Sequence, residues 1–240
     1  MLLIFILGDS HFFLLYNKNM NTMLIFLIIF GFVSVFHIAC IIQKKERLRQ
    51  ISKCFIIPFL LAAYIAGGGT KFLLPIPGLV LGWIGDVLLI KIQKRIYFML
   101  GLASFLLGHI FYIAAFIHIL GFFGADAFMI NIPAILIFTP PAIALGIVVF
   151  RLIKPTKEMR IPVLVYMSVL VLLTLFGFQV FLFNPGIAGF LILSGCLCFM
   201  VSDTILAYYT FRKLKVSGSV LIMSYYIIAQ TEIILGLLLL

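Results

Sequence analysis

The sequence predicts an all-α membrane protein, a polytopic bundle of eight transmembrane helices with both termini on the non-cytoplasmic side. Three observations predict it. First, 65% of the 240 residues are hydrophobic and only 10% are charged, where a soluble domain is nearer half apolar and a quarter charged. The mean hydropathy is +1.32. Second, apolar runs near the roughly 20 residues that cross a bilayer follow one another with short polar breaks. Third, Lys and Arg gather in every second break, as cytoplasmic loops do. A water-soluble globule is excluded, and so is a disordered chain, because 26 Phe on a Leu/Ile/Val background would not stay solvated. No room is left for a sizeable soluble domain.

Taken in order, the first long span runs from Met23 to Ile42 and is stopped by Lys44, Lys45, Glu46, Arg47 and Arg49. A shorter second span, Cys54 to Ala66, ends at Gly67-Gly68-Gly69, where helix propensity is lost. The third, Phe72 to Ile90, carries Pro75 and Pro77 in its first turns, where missing amides cost least. Lys91, Lys94 and Arg95 close it. The fourth is Tyr97 to Leu120, followed by a link through Gly121 and Gly124 to Asn131. Pro133 to Ile153 makes the fifth, bounded by Lys154, Lys157, Glu158 and Arg160. The sixth, Ile161 to Phe183, turns at Asn184-Pro185-Gly186. The seventh, Ile187 to Phe211, meets Arg212, Lys213 and Lys215, and the eighth starts near Ser219. Residues 20–240 read as one eight-helix membrane domain. Residues 1–19 read as a separate apolar segment, interrupted by Asp9, Ser10 and His11, that is either interfacial or an early start with Met20 or Met23 as the true beginning.

The net charge of +10 resembles a nucleic-acid footprint only until the charges are sorted. Every Lys and Arg except Lys18 and Lys71 falls after spans one, three, five and seven. The excess is therefore topological, and nucleic-acid binding is excluded. Cys40, Cys54, Cys196 and Cys198 lie in or beside apolar runs without the paired spacing of a zinc site, and imply neither metal nor disulfide framework.

The informative residues are the ionisable ones inside spans, since each costs several kcal/mol at the bilayer centre and should face the bundle interior. Three acidic residues qualify: Asp86, Asp203 and Glu232. Asp86 lies five residues before Lys91, or roughly 8 Å from the inner interface, and Asp203 nine before Arg212, or roughly 14 Å. The strings around them rhyme, Gly85-Asp86-Val87-Leu88-Leu89 and Ser202-Asp203-Thr204-Ile205-Leu206, with a small residue before each Asp that permits close helix approach. Tyr166, Tyr225 and Tyr226 lie at compatible depth, His109, Tyr112 and Gln230 nearer the midplane, and Lys53 at the inner mouth of the second span. One intramembrane Asp alone would serve as a packing hydrogen bonder. Two, with this company, describe a buried polar cavity in which one carboxyl keeps its proton and the other is ionised, a general acid beside a general base. His37 and His118 read as packing or interfacial residues, and Trp83 as a lipid-facing or core residue. Glu232 is either a cavity member or an outer-half packing partner.

These residues resemble a known family. Lys53 with Pro58, Gly85-Asp86 followed by Leu88-Leu89, and Phe105-Leu106-Leu107-Gly108-His109 with Tyr112 match it in order. So do Ile161-Pro162-Val163 with Tyr166, Ser202-Asp203 with Leu206-Ala207, and Tyr225-Tyr226 with Ala229-Gln230. The chain is similar, from its first long span to its end, to the YhhN-like integral membrane family, whose members include the lysoplasmalogenases. The resemblance implies eight helices and cleavage of the vinyl ether bond of lysoplasmalogens to a fatty aldehyde and glycerophosphoethanolamine or glycerophosphocholine. Asp86 and Asp203 match the catalytic positions.

A vinyl ether is hydrolysed through protonation of its β-carbon, which needs an acid, a negative charge beside the resulting cation and a base to activate water. Asp86 and Asp203 would share these roles, Asp203 as the acid because it lies deeper. Lys53, His109, Tyr112, Tyr166, Tyr225, Tyr226 and Gln230 would bind substrate and orient water, with Lys53 near the phosphate. No metal or cofactor is called for. The expected partners are a lysophospholipid and the bilayer itself, in a bacterial inner membrane or a eukaryotic internal one, and a homo-oligomer is compatible. A different reading is a small-solute or proton-coupled transporter using the Asp pair as a relay, against which no pair of broken helices occupies corresponding halves. A third is a non-catalytic packing protein, for which the polar cluster would be unnecessary.

Overall fold

The computed structural model describes residues 2–122, 132–212 and 218–240. The expected link from Gly124 to Asn131, with Asp126, and the loop residues Lys213 and Lys215 lie outside the described residues. What is described is all-α, with eight α-helices and no strand: α1 (Leu2–Ile42), α2 (Glu46–Ala66), α3 (Pro75–Leu88), α4 (Arg95–Phe122), α5 (Ile132–Ile153), α6 (Arg160–Phe183), α7 (Ile187–Arg212) and α8 (Gly218–Leu239). Among the described residues, six helical segments are long and apolar enough to cross a membrane: Met20–Ile42, Glu46–Ala66, Arg95–Gly121, Lys157–Phe183, Ile187–Arg212 and Val220–Leu239.

Two expected boundaries change. α1 runs from Leu2 to Ile42, 41 residues that take in the N-terminal apolar segment and the first span. The second span is not short. It gains two turns at its start, where Glu46 occupies the first turn and suits the helix dipole. The third is shorter than expected: Pro75 takes the first helical position, Phe72 is extended, and the missing amides of Pro75 and Pro77 remove donors that an earlier helical turn would need. Its 14 residues reach about 21 Å, short of the roughly 30 Å of hydrocarbon, and a tight 3₁₀ turn at Leu89–Lys91 finishes it.

Turn chemistry explains the tight connections. α1 ends with Lys45 N donating to Cys40 O at 2.9 Å and Lys44 N to Ile41 O at 3.1 Å, a Schellman closure with Lys44 in the left-handed region at φ 56°. α2 ends at Ala66, and two residues on the chain turns at Gly68, whose φ of 89° favours glycine. Beyond it Tyr64 Oη donates to Phe72 O at 2.8 Å and ties the returning chain to α2.

Small residues set how closely the helices pack. A Cβ on Gly108 would stand 3.0 Å from Gly78 O, so α3 and α4 meet backbone to backbone, and one on Gly85 would strike the ring of Phe105 at 2.6 Å. The most extensive pairing, α7 with α8, depends on Gly195 against Ala229 O and Gly236 against Ala188 O, each 2.8 Å from the Cβ that glycine lacks. Ile56, Leu60, Leu79, Phe116, Ile192 and Ile233 fill the interior, while Ile28, Phe32, Val35, Ile161 and Ile187 stay about 70% exposed, as an apolar solvent allows.

The basic turns collect at one end. Arg95, opening α4, pairs with Glu158 between α5 and α6 at 2.5 Å, and Arg212 Nε at the end of α7 donates to Leu152 O near the end of α5 at 3.0 Å. The site opens toward this end.

Candidate active site

A cavity of about 700 Å³ lies between the start of α2, the end of α3, α4, the last turns of α7 and the first turns of α8. Its polar wall contains Arg49, Lys53, Asp86, Gln93, Ser202, Asp203, Tyr209, Thr210 and Tyr226, and its apolar wall includes Leu89, Phe105, Leu206 and Met223. Asp86 and Asp203, 117 positions apart in the sequence, therefore border one space.

Their surroundings differ. Asp86 is 2% exposed and faces two donors: Lys53 Nζ stands 3.3 Å from Oδ1, and Tyr226 Oη donates to Oδ2 at 2.7 Å. An ion pair reinforced by a hydroxyl is how a carboxylate is held charged out of water. Asp203 Oδ2 accepts one hydrogen bond, from Tyr166 Oη at 2.5 Å, and no cation pairs with it among the described residues. Asp203 is also the more accessible of the two. Behind it a narrow apolar pocket of about 40 Å³ reaches between α4, α5, α6 and α7 and shares Leu89, Phe105, Asp203 and Leu206 with the large cavity.

Local structure fixes these side chains. Lys53 sits one turn below Arg49 on the same face of α2 (i, i+4). Glycine at 82 leaves the space on α3 that Gln230 Nε2 and Tyr226 Oη approach, 3.2 and 3.6 Å from where a Cβ would stand. The ring of Phe105 stacks edge-on with Tyr226 at 5.8 Å and lies against Gly85. Ser202 Oγ donates to Ile222 O at 3.1 Å and pins α7 to the start of α8 beside Asp203.

A second layer stands behind Asp86. Tyr112 Oη donates to Gln230 Oε1 at 2.7 Å, and Gln230 Nε2 approaches Tyr226 Oη at 3.5 Å. His109 is 2% exposed, edge-on to Phe199 at 4.8 Å and Tyr166 at 5.7 Å, and its Nδ1 is buried without a partner. His109, Tyr112, Tyr166 and Gln230 thus support the two Asp from outside the large cavity.

Of the residues singled out in the sequence, Lys53, Asp86, Asp203 and Tyr226 line the cavity and Tyr225 does not; successive residues on a helix point about 100° apart, and only one of the two tyrosines can face inward. Lys53 was expected beside a phosphate, but its ammonium is engaged by Asp86. Trp83 is 38% exposed, as an outward-facing residue would be, and its Nε1 also donates to Cys54 O at 2.8 Å, the carbonyl that the missing amide of Pro58 leaves open. Glu232 lies outside the cavity wall, with a buried Oε2 that has no partner. Arg49, Gln93, Tyr209 and Thr210 were missed. Arg49 was visible only as one more loop cation, and the others carried no signal beyond nearness to a span end.

An all-helical bundle with six helical segments long and apolar enough to cross a membrane, and two carboxyls bordering one polar cavity, has the architecture of a multi-pass membrane protein. The family model of the YhhN family matches residues 48–237, and the chain belongs to that family. No curated protein and no solved structure matches it.

Proposed function

We propose that the protein is a membrane hydrolase that cleaves the vinyl ether bond of a lysoplasmalogen. The observation that carries the proposal is the unlike company of the two carboxyls at one cavity: Asp86 is ion-paired with Lys53, whereas Asp203 has a tyrosine hydroxyl alone. A buried carboxyl without a cation is most stable protonated, and one against an ammonium is most stable charged. Asp203 is then the acid and Asp86 the base, the division of labour used wherever two carboxyls must do opposite work.

In the reaction, the Asp203 proton passes to the β-carbon of the vinyl ether as the C=C π pair forms the new C–H bond. The oxocarbenium ion left behind is stabilised by the Asp86 carboxylate. Water adds to the cationic carbon while Asp86 takes its proton. The hemiacetal then gives its hydroxyl proton to Asp203 as its C–O bond to the glycerol breaks and the glycerol oxygen takes the proton from Asp86, releasing a fatty aldehyde and a free hydroxyl on the glycerophospho product and restoring both carboxyls. Leu89, Phe105, Leu206 and Met223 give the chain an apolar wall. Family membership supports this reading, as does the cavity at the end where the basic turns gather. On this reading all eight helices cross the bilayer as one domain over residues 20–240, that end is cytoplasmic, and α3 crosses a locally thinned or protein-lined region.

Purified protein incubated with a lysoplasmalogen, the matched saturated-ether lysolipid and the matched acyl lysolipid tests the proposal. The expected result is aldehyde from the vinyl ether alone, falling at least about a hundredfold in both Asp86→Asn and Asp203→Asn. Aldehyde release that persists in both variants would overturn the carboxyl mechanism.

A further inference from the structure

We propose that the mouth of the cavity is an anion site in which Arg49 binds the phosphate of the lysophospholipid. Selection for a phosphate-bearing headgroup then lies with Arg49 and not with Lys53. The inference rests on the substrate class proposed above and adds the residue that recognises it.

Two cations line the cavity, and they differ in how deeply their charge is committed. The Lys53 side chain is 11% exposed and its ammonium stands 3.3 Å from Asp86. Turning it toward a phosphate would leave the Asp86 carboxylate buried against Tyr226 alone, an uncompensated charge in a low-dielectric place. Lys53 therefore belongs to the reacting carboxylate. Arg49, one turn nearer the basic end of the bundle, borders the same space, and 27% of its side chain is exposed.

Arg49 is held at one edge of its guanidinium and open at the other. Its Nε and Nη2 donate to Glu46 at 3.0 and 2.6 Å, and both bonds fall on the same oxygen, Oε2. No described residue accepts from Nη1, so part of the planar fork is uncommitted. A guanidinium is the side chain best matched to two phosphate oxygens. Glu46 is 60% exposed, so solvent screens the pair and little is lost when Arg49 shares its donors. Glu46 holds the guanidinium in place at the mouth until an anion arrives. Gln93 and Tyr209, two further residues with donor groups, border the same cavity.

The spacing suits the ligand. Arg49 and Lys53 are separated by one helical turn, roughly 6 Å along the axis, which is the reach of the about five covalent bonds between a vinyl ether oxygen and the phosphorus of a glycerophospholipid. With the Lys53 ammonium against Asp86, a reacting bond beside that carboxylate lies within one such reach of the turn that carries Arg49.

Binding of two radiolabelled probes to the purified full chain tests this: a saturated-ether lysophosphatidylcholine, which cannot be cleaved, and the alkylglycerol of matched chain, which lacks phosphate. Arg49→Gln is expected to weaken the first about tenfold more than the second, and Arg49→Lys to fall between, which also serves if the glutamine variant folds poorly. Lys94→Gln removes the same charge from the same end, away from the cavity wall, and should not discriminate between the probes. Equal weakening of both probes by Arg49→Gln overturns the proposal, as does an equal effect from Lys94→Gln. Inorganic phosphate that binds as tightly as the lysolipid would show a site for the free anion and also overturn it. If the wild-type protein releases no aldehyde from a vinyl ether, the reaction proposed above fails while the binding comparison still judges the phosphate site.

Discussion

Behind Asp86 the hydrogen bonds all run one way. Tyr112 donates to Gln230 Oε1, which turns the amide nitrogen toward Tyr226. The Tyr226 hydroxyl then has its own proton free for Asp86. An amide sets this polarity because it has one accepting end and one donating end. Gln230→Glu keeps the shape and replaces the donating end by an acceptor, so Tyr226 is drawn away from Asp86. Turnover should fall about tenfold in this variant, and the loss should largely vanish when the change is made on a Tyr226→Phe background. Full additivity of the two changes in kcat would show that Gln230 does not act through Tyr226. The two carboxyls were legible in the sequence because ionisable groups inside spans are costly. Their partners were less so: adjacent Tyr225 and Tyr226 cannot be told apart without the rotation of α8, and the commitment of Lys53 to Asp86 depends on how α2 meets α3.

The seam between α2 and α3 shows what single elements contribute. Pro58 lies inside α2, and the carbonyl it leaves open at Cys54 accepts from the indole of Trp83. In a bilayer no water replaces a lost partner, so Trp83→Phe should cost about 1–2 kcal/mol of stability. Pro58→Ala restores the amide that would take the same carbonyl, and on that background Trp83→Phe should cost markedly less. Thermal or denaturant unfolding of the four proteins in one detergent checks the coupling. Equal costs on both backgrounds would refute it. Spans were legible as apolar runs closed by charge or by Gly and Pro. The length of α3 was not, because Phe72, Leu73 and Leu74 continue the apolar pattern and only the amides missing at Pro75 and Pro77 keep them out of the helical ladder. The backbone contacts at Gly78, Gly108, Gly195 and Gly236 also escape a periodicity reading, since a glycine on a packed face and one on a lipid face look alike in a sequence.

For the whole molecule, sorting the charges predicts sidedness, and the ion pair between Arg95 and Glu158 joins two of the turns that the sorting grouped. Single cysteines at Lys94 and Lys157, in a chain cleared of Cys40, Cys54, Cys196 and Cys198, should react with an impermeant maleimide only from the cytoplasmic side. One at Asn184 should react only from the other. Labelling of Lys94 and Asn184 positions from the same side would refute the eight-span topology. The cavity itself was legible only as a depth shared by polar residues, because its walls come from five helices whose packing no local pattern encodes. The tryptophan at the α2–α3 seam has one more consequence. It is the chain's only indole, and it is hydrogen-bonded to the residue next to Lys53. Excited selectively over the nine tyrosines, the protein therefore emits from a single fluorophore one hydrogen bond away from the helix turn that carries Lys53, an intrinsic optical probe of that wall that needs no label.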